Sequence, residues 1–558
     1  MTLLTVRPRV RRAAVALLTT GFATAAVAVG AAPALADTKP ATGTATTVST
    51  DVLPTAQLNG VAWNQIIVGS TVYVGGDFTK ARPAGAPAGT GEVNRGGMLA
   101  YNITTGQLTG FAPSFNAAVR GLAASSDGKT IYAVGNFTTV NGVARSRIVA
   151  LNASTGAVIS SFAPTLNSTG LAVAVHNTTV YAAGAFTAAS GQTRSHAAAF
   201  ASATGALTKW APTTDQTVRT LLASPDGASV VLGGHFATVN GATTRGSARV
   251  DSSSGKSNLS WAINGVVQNN GPDSAIYSLT TDGTYVYATG YSFHPTTAGA
   301  KLEGAYAASW SGGSIRWIED CHGDSYSSAV SNGALYVASH AHYCANVPGG
   351  FPQVLNPDGT YAHFQRGTAF SLTVAGTLRA ENSGYSNYGG RPAPGLLDWF
   401  PDINTGTYTG QNQGAWSVAA NSQYVVYGGE FTKVNGVAQQ GLVRFAVPSI
   451  APNHDGPRLV GASFVPTLTA PGGGKVTVQF LANYDRDNES QSYGIYRDGN
   501  TSAPVATLSA KSRIWYQRPN LTWTNTGLAV GSTHSYRIKT TDPWGNVVWG
   551  NTVSITVK

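Results

Sequence analysis

Charge, sulfur and helical pattern are all scarce in this chain. Only 11% of its residues are charged, and it has two cysteines and two methionines against 66 glycines. No Lys/Arg-rich run with interleaved aromatics occurs, which excludes nucleic acid as the expected partner. The net charge of +10 includes four arginines of an N-terminal leader, and subtracting them leaves a mild +6. Beyond that leader no stretch approaches the roughly 18 apolar residues of a membrane span. No segment keeps a helical period long enough for a helical solenoid. The motifs of common hydrolases and nucleotide binders, G-x-S-x-G, H-E-x-x-H and the P-loop, are also missing. The Asp and Glu residues are too scattered for two glycosidase carboxylates to be picked out. What remains is a Gly-rich composition suited to many short strands and tight turns.

The first residues carry Arg7, Arg9, Arg11 and Arg12. An uncharged Ala/Val/Leu-rich stretch over 13–32 follows and ends in Ala34-Leu35-Ala36. That order of basic, apolar and small residues predicts a secretory signal at 1–36, cleaved after Ala36, by the general or the twin-arginine route. The mature chain is therefore expected to be secreted, extracellular and monomeric. In that oxidising setting Cys321 and Cys344 are expected to form a disulfide.

One phrase recurs along the chain. It reads Val72-Tyr73-Val74-Gly75-Gly76-Asp77-Phe78-Thr79, then Ile131-Tyr132-Ala133-Val134-Gly135-Asn136-Phe137-Thr138. Copies follow at 180–187, 231–236 and 426–432, with degenerate ones at 286–290 and 335–338. Around each copy runs the same grammar: an apolar strand, a turn such as Asp127-Gly128, the Tyr/Val strand, a Val-Asn-Gly loop, a third strand and a fourth. Alternating apolar residues bounded by Gly, Asn and Ser are hairpin material. A period of roughly 50 residues with four strands per unit predicts a propeller. Seven units are counted, the sixth stretched between about Gly349 and Gly410.

These motifs resemble a family of secreted bacterial propellers built on a G-G-x-F-T-x-V-N-G repeat, the delta-sixty type. The resemblance implies an all-β, seven-bladed β-propeller over 57–447, preceded by a linker at 37–56, and says little about chemistry. Arg145, Arg194 and Arg245 recur after the Phe in successive units, as structural contacts between strands rather than ligand contacts.

A Pro/Asn/Asp/Gly-rich linker at 448–457 ends the repeat. Alternating segments then follow, at 475–480, 493–499, 522–524, 536–538 and 553–557. They predict a β-sandwich over 458–558. Gly527-Leu528-Ala529-Val530-Gly531-Ser532 with Tyr536 resembles the fibronectin type III corner, and Trp523 is a candidate core aromatic. The acidic loop Asp485-Arg486-Asp487-Asn488-Glu489 has oxygen ligands for calcium, but its spacing is no EF-hand, and a solvated or self-capped loop is expected.

The sixth unit departs from the pattern. It reads Cys321-His322-Gly323-Asp324-Ser325, then a strand and a turn at 331–333, then a return strand ending His340-Ala341-His342-Tyr343-Cys344. If 331–333 is the turn, Asp324 faces His340, His322 faces His342, and the cysteines meet across the same end. Residues 322 and 324 would share a side, as would 340 and 342. His322, Asp324, His340 and His342 are therefore the candidate ligand-binding residues, with Glu319, Asp320 and His363 as possible neighbours. Such groups serve metal ligation, acid/base chemistry or polar ligand contacts, so a metal ion is the one cofactor to weigh.

Three functions compete. The first is a non-catalytic binding protein whose propeller face recognises an extracellular polysaccharide or cell-surface component. It draws on export, low charge and aromatics placed in exposed loops: Trp310, Trp317, Tyr385, Tyr388 and Trp399. The second is a hydrolase or lyase acting at the His/Asp cluster. The third is a structural adhesion protein with a protein partner.

Overall fold

The computed structural model describes residues 45–293, 300–381 and 384–558. The signal expected at 1–36, and residues 37–44 of the linker, lie outside them. The described chain is all-β apart from one short 3-10 turn, Ala262–Gly265.

Among the described residues between 57 and 446, beside five smaller sheets built from short loop strands, seven antiparallel sheets of three or four strands follow one another in chain order. Their first strands are Val61–Val68, Val119–Ala124, Gly170–His176, Val218–Ala223, Ser274–Thr281, Ser325–Ser331 and Ala415–Ala420. We number the sheets 1 to 7 in that order. Each first strand pairs with the Tyr/Val strand of the repeated phrase, which pairs in turn with a third strand. A fourth strand is present in sheets 4, 5 and 6. In sheets 1, 2 and 3 it shrinks to single bridges, Tyr101 to Leu108, Leu151 to Val158 and Phe200 to Leu207. Each first strand packs against the first strand of the next sheet, and that of sheet 7 packs against that of sheet 1.

The repeated Val-Asn-Gly forms a two-residue hairpin. In Thr139–Val140 and Val143–Ala144, Asn141 and Gly142 both have positive φ, 52° and 77°, the backbone a type I′ turn needs. Two of the recurring arginines are spent on local backbone, Arg145 donating to Ala144 O and Arg194 to Thr193 O and Thr208 O, while Arg245 donates to Gln268 Oε1. The Phe of the phrase is buried in every clean copy, at Phe78, Phe137, Phe186, Phe236 and Phe431. The core is accordingly divided into layers between successive sheets. Phe137, for example, shares a cluster with Val149 and Leu151 of its own sheet and with Tyr73 and Met98 of sheet 1.

One buried cation closes the chain upon itself. Leu53 bridges Arg444 of the last strand of sheet 7, so the N-terminal segment runs along that strand's outer edge. Arg444 is 2% exposed. It donates to Thr55 Oγ1, Pro54 O, Thr104 O and Ile103 O, joining sheet 7 to the N-terminal segment and to a turn of sheet 1.

Residues 467–556 form a three-stranded and a five-stranded antiparallel sheet. Val478 and Phe480 of the smaller sheet share one core with Tyr493, Ile495, Tyr536 and Ile538 of the larger. Trp523 is half-buried at its margin, and the Tyr536 hydroxyl accepts from Asn525 Nδ2 at 2.9 Å. The acidic loop is not the solvated or self-capped loop expected: Asp485 is fully buried, and the N-terminal segment and the linker supply the loop's partners. Thr50 N donates to Asp487 Oδ2 (2.6 Å) and Arg486 Nη1 reaches both oxygens of Asp455 (3.0 Å).

Candidate functional site: a ring of bulged residues

Each of the seven first strands carries a register shift at its start. The shifts fall at Ala62/Asn64, Val119/Gly121, Gly170/Ala172, Val218/Thr220, Ile276/Ser278, Ser325/Ser327 and Ala415/Ser417. The residue left unpaired in each is Trp63, Arg120, Leu171, Arg219, Tyr277, Tyr326 or Trp416. A bulge frees one residue from the ladder and re-aims its side chain. Repeated seven times round a closed order of sheets, it turns seven side chains into one place.

In six of the seven sheets the bulge lies next to a glycine of the repeated strand, and in sheet 6 Ser339 takes that place. Gly135 pairs with Val119, next to the bulged Arg120, and a Cβ there would lie 2.2 Å from Ala118 O. Gly184 and Gly429 are confined alike, with carbonyl oxygens of Thr169 and Gly414 at 2.1 and 2.0 Å from a Cβ. Only glycine lets the two backbones approach so closely.

All seven bulged residues line two cavities, of about 580 and 720 Å³. The larger lies where first strands begin and second strands end. It is also bordered by Asp77, Asn136, Tyr291, Asp324, Thr409 and Gln413. Around the ring, sheets 5, 6, 7 and 1 contribute a continuous aromatic arc. Its centroids are 5.4 Å apart for Tyr277 and Tyr326, 4.4 Å for Tyr326 and Trp416, and 5.0 Å for Trp416 and Trp63. Sheets 2, 3 and 4 contribute Arg120, Leu171 and Arg219. Each guanidinium lies over an end of the arc, Arg120 at 4.2 Å from the Trp63 centroid and Arg219 at 4.0 Å from that of Tyr277. Burial lowers the Arg120 pKa, and the Arg219 charge adds to that while Tyr277 and Asp77 oppose it. Trp416 is pinned by Glu430, whose Oε1 accepts from Trp416 Nε1 (3.0 Å) and whose two oxygens also hold Thr409.

No family model matches this chain, and no curated protein matches it.

Of the four residues singled out in the sequence, Asp324 borders the larger cavity. Its Oδ1 accepts from Ser292 N (3.1 Å) and its Oδ2 from the Tyr326 hydroxyl (3.3 Å). His340 stands behind Tyr326, with Nδ1 3.1 Å from that hydroxyl and 3.0 Å from Gln413 Oε1. His322 and His342 form a separate group, their centroids 6.3 Å apart. His322 stacks on Tyr385 at 3.7 Å and its Nε2 is 3.1 Å from Glu381 Oε2. His342 stacks on Tyr361 at 3.8 Å, with Nδ1 3.2 Å from Gln353 Oε1. Burial pushes Asp324 up to about 6 and holds all three histidines down to about 4, in His322 against the pull of Glu381. At neutral pH the imidazoles are therefore uncharged.

Details of the expected hairpin need correcting. The turn is the two residues Asn332-Gly333, so Ser331 pairs with Ala334. His340 N donates to Asp324 O, as the expected pairing requires. His322, however, bridges Tyr343 rather than His342. Gly323 at φ 114° interrupts the extended backbone between them, so simple alternation does not apply across 322–324. His363 stacks on Trp515 at 4.2 Å, away from this cluster. Glu319 accepts from Cys321 N and Asp320 from Asn346 Nδ2.

Cys321 and Cys344 are joined by a disulfide. Among the described residues, the ligand atoms close enough to share an ion are those of Glu319 with these two sulfurs. A disulfide has no thiolate to offer a metal, so this group does not fit one. The aromatics expected in exposed loops are also placed differently. Trp317 and Trp399 are fully buried, Tyr388 is 3% exposed, and Trp310 is half-buried with Nε1 bonded to Thr281 Oγ1. Sequence inspection missed the ring because its seven members share a position and not a residue type. The signal available was that position, one residue past the partner of the recurring glycine in six sheets and of Ser339 in sheet 6.

Proposed function

We propose that the chain is a secreted, non-catalytic binding protein: a seven-bladed β-propeller of the delta-sixty type followed by a fibronectin type III-like β-sandwich. Its axial cavity would recognise a unit of an extracellular glycan or cell-envelope polymer. The propeller reading is supported by seven sheets in chain order whose first strands pack in a closed series, and by the N-terminal segment lying along the last strand of the seventh. The sandwich reading is supported by two antiparallel sheets around one core.

The observation that carries the binding reading is the convergence of the seven bulged side chains on a cavity of about 720 Å³. That is the size of a small-molecule site, and ring faces beside fixed polar groups are what a sugar's apolar and hydroxylated sides require. The test is retention of the mature protein on a panel of insoluble and soluble polysaccharides, with released products assayed in parallel. Retention without products, lost in Trp63→Ala, is the expected result. No retention of any polysaccharide would remove this reading and favour a protein partner.

One observation supports the enzymatic alternative. Asp324, with its carboxyl held near 6, borders the cavity and is linked through Tyr326 to His340. A carboxyl of that pKa suits a general acid. Products that vanish in Asp324→Asn would establish that alternative.

A further inference from the structure

The ring is divided into two unlike arcs, and the division specifies a ligand more closely than a neutral sugar. Four aromatic rings occupy sheets 5, 6, 7 and 1 without interruption, and the remaining arc reads Arg120, Leu171, Arg219. Each arginine has its guanidinium carbon over a terminal ring of the aromatic arc. Stacking engages the face of a guanidinium and leaves its N–H edge free to donate.

Little inside the protein takes up those donors. Among the described residues neither guanidinium lies within 4.0 Å of a carboxylate, and Arg120 Nε makes one long 3.4 Å bond to Asn136 Oδ1. Two acids border the same cavity. Asp324 is engaged by Ser292 N and the Tyr326 hydroxyl, and Asp77 stands at the cavity wall beyond ion-pair distance of either arginine. Two cations flanking Leu171 in one partly buried cavity repel each other, and a bound anion relieves that repulsion. Guanidinium pairs match oxyanions in charge and in donor geometry.

We propose that the axial cavity binds an anionic sugar unit, with its oxyanion between Arg120 and Arg219 and its ring against the arc of Tyr277, Tyr326, Trp416 and Trp63. This rests on the glycan-binding reading above and adds the charge class of the ligand. The oxyanion can be a sugar carboxylate or a phosphate ester, since the arginine pair offers both the same chemistry.

The experiment is calorimetric titration of the mature protein with four probes: trigalacturonic acid, its methyl ester, maltotriose and a glycerol-phosphate trimer. The ester keeps the skeleton of the acid and removes its charge. The acid is expected to bind at least ten-fold more tightly than the ester, and to weaken as salt rises from 50 to 300 mM while the ester does not. Arg120→Gln and Arg219→Gln should each abolish the preference for the acid while the protein still unfolds in one cooperative thermal transition. Tighter binding of the glycerol-phosphate trimer, lost in the same variants, would keep the anionic class and assign the source to phosphate. Equal binding of acid, ester and maltotriose, or equal losses for acid and ester in the arginine variants, would overturn the proposal while leaving the glycan reading standing. Failure of all four probes on folded protein that also fails the polysaccharide panel would remove both.

Discussion

The guanidinium of Arg219 stands 4.0 Å above the ring of Tyr277, one sheet further round the cavity. The contact joins the cationic arc to the aromatic one and fixes the orientation of a long, flexible side chain. Cation–π contacts of this kind contribute about 0.5–2 kcal/mol. Tyr277→Phe keeps the ring face and should preserve ligand affinity, whereas Tyr277→Leu releases Arg219 and should lower affinity several-fold. Titration of both variants checks this; equal losses would show that the hydroxyl matters instead of the face.

Trp416 joins structure to site. It is 4% exposed, contacts Trp63 and Tyr326, and donates to Glu430. Trp416→Ala should cost about 3–5 kcal/mol of stability, the usual range for a buried Trp. Trp416→Phe should cost less, since Thr409 still occupies both Glu430 oxygens. Denaturant titrations at constant slope would measure both.

Arg444 is the clasp between sheet 7, the N-terminal segment and sheet 1. Replacing it with Met keeps much of the volume but strips Pro54, Thr55, Ile103 and Thr104 of a buried donor. Unsatisfied buried groups cost about 1–3 kcal/mol each, so a loss of at least about 3 kcal/mol is expected. Hydrogen exchange should locate the opening at residues 49–58 and 442–446. Uniform exchange across all seven sheets would count against a local clasp.

The Cys321–Cys344 disulfide closes a loop of sequence separation 23. On the chain-entropy account, such a crosslink contributes about 3 kcal/mol. The double variant Cys321→Ser, Cys344→Ser should unfold at a lower temperature than wild type, and reductant should lower only the wild-type value.

Stability should depend on pH through buried acids, several of them in sheets 5 and 6, with Asp398 and Asp485 also raised well above the carboxylate range by burial. Burial raises Glu303 and Glu319 to about 8, Asp324 to about 6, and Asp320 well above the carboxylate range. The folded chain keeps these protons where the unfolded chain has lost them, so the acids cost stability progressively as pH rises from about 4.5 through 8. The three histidines, held down to about 4, work in the other sense and cost stability as pH falls from about 6.5 through 4. The trends offset one another between about 4.5 and 6.5, and above that only the carboxyls remain. The unfolding temperature should therefore fall from pH 6.5 to 8.5, and Glu319→Gln should flatten the slope. A temperature that rises over that interval would contradict this account.

Some of this was legible in the residues alone. Alternation at short range gave the strands, because a strand buries every second residue whatever it pairs with. The turn expected at 331–333 and the two cysteines beyond its ends pointed to the disulfide, because a hairpin turn dictates which residues lie across from one another. The recurring Gly-x-Phe marked the units, and burial of each Phe between neighbouring sheets explains why the residue recurs.

The ring was not legible, and the reason is physical. Trp63, Arg120, Leu171, Arg219, Tyr277, Tyr326 and Trp416 belong to seven separate units and share only a backbone irregularity. A bulge leaves no mark in the hydrophobic pattern, and its consequence appears when the first strand of sheet 7 returns to that of sheet 1. Likewise Trp317 and Trp399 read as loop aromatics until their sheets were packed. Local sequence fixes what a strand is and where it turns; which side chains share a cavity depends on contacts between residues hundreds of positions apart, and only the tertiary structure brings those together.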